Sequence, residues 1–220
     1  MVTLASPRFV FLDSGATTTL TGTARDANGV TVPNAAIQFA ARNTSVIGTS
    51  GNVLTGLRRG QSIVTASVGS ATPDSVLAVV VGANGITLQT DLTRFDIRPD
   101  ETFTVPILVD LRTSTERVGS AAITVSFDPA QLTFTSRSAG SSGVNVTVSD
   151  AQAATGRIAI TFADATGFGG RVELLRLTFR ASTSIGRTGS LVLTATELNS
   201  ATFTDLTGRL TALTYPLVIR

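Results

Sequence analysis

The stretch Glu101–Leu111, ETFTVPILVDL, sets Phe103, Val105, Ile107 and Val109 at every second position. A period of two puts those side chains on one face of an extended strand, whereas a helix would scatter them around its circumference. The same period returns in Ile123, Val125 and Phe127, in Ile158, Ile160 and Phe162, and in Leu175, Leu177 and Phe179. Thr, whose branched β-carbon favours extended backbone, is roughly one residue in six. No long window repeats apolar residues at the helical spacing, so little helix is expected. Short alternating runs divided by Gly, Asn and Asp-Pro turns predict an all-β fold of sandwiches. Within ETFTVPILVDL, Pro106 lacks a backbone donor, which predicts a sheet edge or a bulge at that point.

The 220 residues suffice for two modest cores. VVVGANGITL breaks the alternation at Gly82, Asn84 and Gly85, and the expected boundary divides residues 1–82 from residues 83–220. In the first part the apolar bursts are Leu20 with Gly22 and Ala24, Ile37 with Phe39, Val53 as a core residue, Ile63 opening a strand, and Val76 to Val81. Asn28-Gly29 and Gly51 supply turns that accept positive φ. In the second part, ITVSFDPAQLTF reads as strand, Asp128-Pro129 turn and strand, returning Leu132 and Phe134 to the core.

The chain has no His and no Cys. Ser/His/Asp and Cys/His nucleophiles, His-based metal sites and disulfides are therefore excluded, and neither an enzyme nor a cofactor is expected. Net charge is +2, and the 17 basic residues are all Arg, scattered without interleaved rings; nucleic acid is not an expected partner. No run approaches the length of a membrane span. MVTLASPRFVFL lacks the charged and apolar regions of a leader, so the chain is expected to be a piece of a longer protein or one whose leader was removed. Asp26 with Asn28, Asp100-Glu101, DATGFGG and DLTG all read as turns before they read as ligands. With no Trp and one Tyr, a flat sugar platform is an unfavoured alternative. Most of the 11 Phe fall at inward positions; Phe168, in a Gly-rich stretch, is the exception and a candidate partner anchor, with Arg171 beside it.

Two family resemblances follow from these motifs. SGATTTLTGTARDANGVTVPNAAIQFAA followed by GTSGNVLTGLRRGQSIVTASVG resembles the bacterial immunoglobulin-like domains of group 2, with Phe39 where that family often has Trp. TVPILVDL, VSFDPAQLTFTS, GRIAITFAD, LLRLTFRAS and GSLVLTATELNSATFTDLTG resemble, in order and spacing, a cohesin domain. That resemblance implies a nine-strand jelly-roll sandwich and a non-catalytic protein-binding module at a bacterial cell surface or outside the cell. It also implies a dockerin-like partner docked on one sheet face. In that family the strand before the Phe-Asp-Pro corner supplies polar contacts, often Asn and Asp; the matching positions here are Ser120 and Ala122, and Phe168 and Arg171 are expected to border the face. The alternative is a surface-layer, sheath or filament subunit that self-assembles through edge strands. For that reading the final segment LTALTYPLVIR, with Tyr215, Leu217 and Ile219, is the candidate assembly strand.

Overall fold

The computed structural model describes residues 1–5, 8–92, 94–111 and 114–220. The chain is nearly all strand, 59% against 3% helix, as the period of two requires. It divides into two compact units, Met1–Ala83 and Asn84–Arg220.

The first unit contains β1 (Val2–Leu4), β2 (Phe9–Asp13), β3 (Thr17–Thr19), β4 (Gly22–Ala24), β5 (Gln38–Ala41), β6 (Ile47–Ser50), β7 (Val53–Gly56), β8 (Gly60–Ser67) and β9 (Asp74–Val81). They form a four-stranded sheet β2-β9-β8-β5, a three-stranded sheet β3-β7-β6 and the pair β1-β4. Leu12, Val64, Ala66, Val76, Ala78 and Val80 from the first sheet share one buried cluster with Ile47 and Leu54 from the second. Two expected positions shift, the first by one residue and the second by three. Leu54, not Val53, enters the core, and the strand expected from Ile63 starts at Gly60 and buries Val64. The Asp26 turn forms as read: its carboxylate accepts the N–H groups of Asn28 and Val30, each at 2.9 Å, and Gly29 takes φ 80°.

The second unit contains β10 (Ile86–Gln89), β11 (Asp96–Ile97), β12 (Thr102–Asp110), β13 (Val118–Ser126), β14 (Leu132–Ala139), β15 (Val146–Ser149), β16 (Arg157–Phe168), β17 (Arg171–Ala181), β18 (Thr188–Ser200), β19 (Leu210–Ala212) and β20 (Thr214–Ile219). Two of these, β11 and β19, are short pieces beyond the nine strands expected. One sheet runs β14-β17-β12-β10-β19 and the other β11-β20-β18-β13-β16-β15. The alternating residues Val105, Ile107, Leu177 and Phe179 of the first sheet, and Ile123, Val125, Ile158, Ile160, Leu191 and Leu193 of the second, are all buried. Pro106 lies beyond the end of the β10 ladder, which stops at the Gln89–Leu108 pair, and next to a bulge at Ile107/Leu108, so its missing donor breaks no bond.

The Phe-Asp-Pro corner closes this core. The Asp128 carboxylate accepts the Ala130 N–H (2.8 Å), and the Asp128 carbonyl accepts the N–H groups of Gln131 (3.0 Å) and Leu132 (2.9 Å). The turn so fixed directs the Phe127 ring edge-on to Phe179 at 5.0 Å, with Phe134 and Phe103 at 6.0 and 6.2 Å from the same ring. Edge-to-face and tilted ring pairs at these distances stabilise beyond the area they bury.

Candidate functional site

The six-stranded sheet has one face in the core and one face outward, and the period of two decides which residues go where. In β13, Ala121, Ile123 and Val125 point in, leaving Ser120, Ala122, Thr124 and Ser126 on the outer face. Cross-strand register extends these four into rows. Asn199 of β18 and Ala163 of β16 flank Ser120; Glu197 and Thr161 flank Ala122, with Thr147 of β15 beyond Thr161. Thr194 and Ala159 flank Thr124, with Ser149 beyond; Val192 and Arg157 flank Ser126. The central strands β18, β13 and β16 are straight ladders here except for one bulge, where Thr196 is the extra residue between Ala195 and Glu197. The outcome is a flat grid of small side chains, dominated by Thr, Ser and Ala. Its hydroxyls are tied weakly to the sheet: Asn199 Nδ2 lies 3.4 Å from Ser120 Oγ, and Thr194 Oγ1 lies 3.4 Å from the Thr124 carbonyl.

At one end of this face the β13–β16 ladder is interrupted, with the Ser120–Ala163 pair followed by Val118–Phe168. Residues 164–167 form the excursion. Asp164 Oδ1 accepts from the Thr166 hydroxyl (2.8 Å), the Thr166 N–H (2.9 Å) and the Gly167 N–H (3.2 Å). These bonds, the Thr166 hydroxyl foremost, hold the Asp164 carboxyl below its ordinary pKa. The Arg117 guanidinium caps the carbonyls of Thr166 and Gly167. Gly167, at φ 61°, could carry no side chain without pressing on the Val118 carbonyl at 2.9 Å.

Ser120 and Ala122 lie two residues apart on the outer face of β13. Phe168 does not stand free in a loop: past the excursion it pairs opposite Val118 at the same parity as Ile158, Ile160 and Phe162, and its ring is buried against Phe162 at 5.3 Å. Arg171 opens β17 in the other sheet, where it pairs with Asp91, so it is not part of the same face. Tyr215, Leu217 and Ile219 are fully buried, and their strand lies between β18 and β11. Burial overturns them as an exposed assembly strand. The edge of β20 away from β18 is itself blunted. The Val218 N–H donates to Phe95 on that side, and Pro216, two residues earlier and of the same parity, has no N–H to offer.

Asp100-Glu101 forms a turn held by two arginines. Arg180 grips Asp100 through two bonds of 2.6 and 2.9 Å, and Arg94 pairs with Glu101. Both carboxyls are held below their ordinary pKa, Asp100 chiefly by the Arg180 bonds and Glu101 chiefly by the Arg98 N–H. No group of three or more acidic side chains among the described residues converges to hold a metal ion. No helix among them is long and apolar enough to cross a membrane.

The second unit is thus a two-sheet sandwich, with strands β18-β13-β16-β15 adjacent on one side and β14-β17-β12-β10 on the other. The cohesin domain family matches residues 88–212, and the chain belongs to that family. Cohesin domains are non-catalytic protein–protein interaction modules. Among solved structures, the chain is similar to a type I cohesin–dockerin complex from Clostridium thermocellum (12% identity, TM-score 0.52, 62% of this chain and 100% of that one). It is also similar to a non-cellulosomal cohesin from the hyperthermophilic archaeon Archaeoglobus fulgidus (17%, 0.50, 62% and 91%). A third is the sixth cohesin of scaffoldin B from Acetivibrio cellulolyticus, in complex with a dockerin (22%, 0.50, 62% and 99%). At these identities the likeness is one of fold. No curated protein matches the chain.

Proposed function

We propose that the second unit is a receptor whose β18-β13-β16-β15 face docks a dockerin-type protein, displayed outside the cell or at a bacterial surface, with the first unit as an immunoglobulin-like stalk. The observation that carries the reading is the grid around Ser120, Ala122, Thr124 and Thr161: four adjacent strands present an outer face of mostly small side chains, with Thr161, Ala163, Thr194 and Glu197 exposed and Ser120, Ala122 and Thr124 half-exposed. Two of the similar solved cohesins are in complex with dockerins. Because the grid offers hydroxyls and methyls where charged pairs are few, its partner is read as one with small or apolar contact residues, matched by shape. The stalk reading is supported by the two sheets of the first unit that share one core and by the motifs of residues 14–69.

Thr161 is exposed at the centre of the grid, so Thr161→Arg puts a long charged side chain into the contact without touching the core. Titration calorimetry against dockerins is expected to show binding to the native chain and a loss of at least about tenfold in the variant, with an unchanged melting temperature. Equal affinity of both proteins would place the contact elsewhere.

A further inference from the structure

Beyond the end of β18 the chain makes a three-residue loop, residues 201–203. The Ser200 N–H donates to the Thr204 carbonyl (2.8 Å), and the Phe203 N–H donates back to the Ser200 carbonyl (3.0 Å). The Ser200 hydroxyl accepts from the N–H groups of Thr202 (3.2 Å) and Thr204 (3.0 Å). The Ala201 N–H donates to the Arg117 carbonyl (2.8 Å), which fastens the loop beside β13. The turn is thus fixed from three sides.

Hairpin loops of this length place their last residue in the left-handed region, and that position favours Gly. Here it is Phe203, at φ 63°. Among the described residues, the other non-glycine positions at positive φ are Asn34, Asn84 and Asp100, whose short polar side chains tolerate it. Phe203 is also 91% exposed. Neither backbone conformation nor burial favours a phenyl ring at this position, and Gly or Asn would serve the turn better. Strain held by surrounding hydrogen bonds, together with a large apolar group given to solvent, points to a use outside the folded chain.

The docking face lacks what this ring supplies. Binding energy at protein interfaces concentrates in a few large side chains seated in the partner's pockets, while small neighbours exclude water around them. The grid consists mostly of Thr, Ser and Ala. Register sets Ser200 opposite Val118 and Asn199 opposite Ser120, so the Phe203 loop continues the strand that forms the grid's first row. The other exposed large apolar side chain described in the second unit, Ile185, precedes β18 and lies at its opposite end. We propose that Phe203 is the specificity-determining anchor of the docking interface, inserted into an apolar pocket of the dockerin that sits on the β18-β13-β16-β15 face. The inference rests on that face being the docking surface. A ring already fixed by its turn surrenders little freedom when it is bound, which favours affinity.

The test uses the full chain and a displayed library of dockerin modules. Dockerins selected on the native protein are titrated against Phe203→Asn, Phe203→Tyr and Thr161→Arg. Phe203→Asn is expected to weaken binding at least about tenfold while leaving the melting temperature equal or higher, because Asn accepts the left-handed turn. Phe203→Tyr, which keeps the ring, is expected to retain affinity. A merely structural role would instead lower the melting temperature of Phe203→Asn. Dockerins lost with Thr161→Arg but indifferent to Phe203→Asn would overturn the anchor and leave the face standing. Recovery of no dockerin, or of dockerins indifferent to both changes, would overturn the face and the anchor together.

Discussion

Tyr215 makes the second unit its own spectroscopic reporter, because it is the only Tyr of a chain with no Trp. Its side chain is fully buried in β20, and its phenol oxygen accepts the Thr90 N–H at 2.8 Å. Burial pushes the phenol pKa up, well above its ordinary value; the Thr90 bond opposes this only in part. The folded state therefore keeps its proton where the unfolded chain loses it, at about pH 10. Stability is whole below that pH and falls above it, because the unfolded state then binds fewer protons. Each further pH unit costs about 1.4 kcal/mol, so the loss is roughly 3 kcal/mol two units above. The window is clean: with no Lys and no Cys, no other side chain titrates between the carboxylates and Arg. The assay is an alkaline titration of tyrosinate absorbance beside far-ultraviolet circular dichroism, with urea melts at several pH values. Tyrosinate is expected to appear only as the strand signal collapses, and the unfolding free energy to fall along the slope given. Tyr215→Phe should flatten that slope, while costing about 1–3 kcal/mol near neutral pH by leaving the Thr90 N–H unpaired. Tyrosinate forming near pH 10 in a chain that keeps its native dichroism would refute the reasoning.

Phe179→Ala removes the ring on which Phe103, Phe127 and Phe134 converge and is expected to cost about 3–5 kcal/mol, read as an earlier tyrosine-detected urea midpoint. Gly156→Ala sets a Cβ onto the Phe127 carbonyl in a residue held at φ 82° and is expected to destabilise the corner by more than about 1 kcal/mol in the same melt. An unchanged midpoint in either variant would show that the corner closes the core by other contacts.

Strands of the second unit such as β16 were legible because their apolar residues alternate alone. Ile158, Ile160 and Phe162 have polar or small neighbours, so only one face could be inward. Where two apolar residues stand together, the period of two is ambiguous. Val53-Leu54 and Ile63-Val64 each left the inward member to be settled by pairing, and each time the second residue was buried. Phe168 was misread for a different reason. Flanking glycines look like a loop, but the excursion at Asp164 to Gly167 takes up four residues, so the alternation of Ile158, Ile160 and Phe162 runs on through it to Phe168. Tyr215, Leu217 and Ile219 alternate as buried strand residues do; their terminal position made an edge plausible, and only long-range pairing with β18 and β11 decided otherwise. Ser120 and Ala122 came from a motif alignment, and alternation alone also predicts Thr124 and Ser126 on the same face. Phe203 carried no periodic signal, since its meaning lies in a backbone angle that sequence does not print.

The absent hydrogen of Pro216 has a consequence for life in company. A row of β-strands grows by copying, each new strand reading the donors of the last, and a gap in the middle of the row leaves a visitor with a bond it cannot complete. A second copy of this unit that approached on that side would meet the missing donor at Pro216. What it holds on to is left to be chosen by its broad faces.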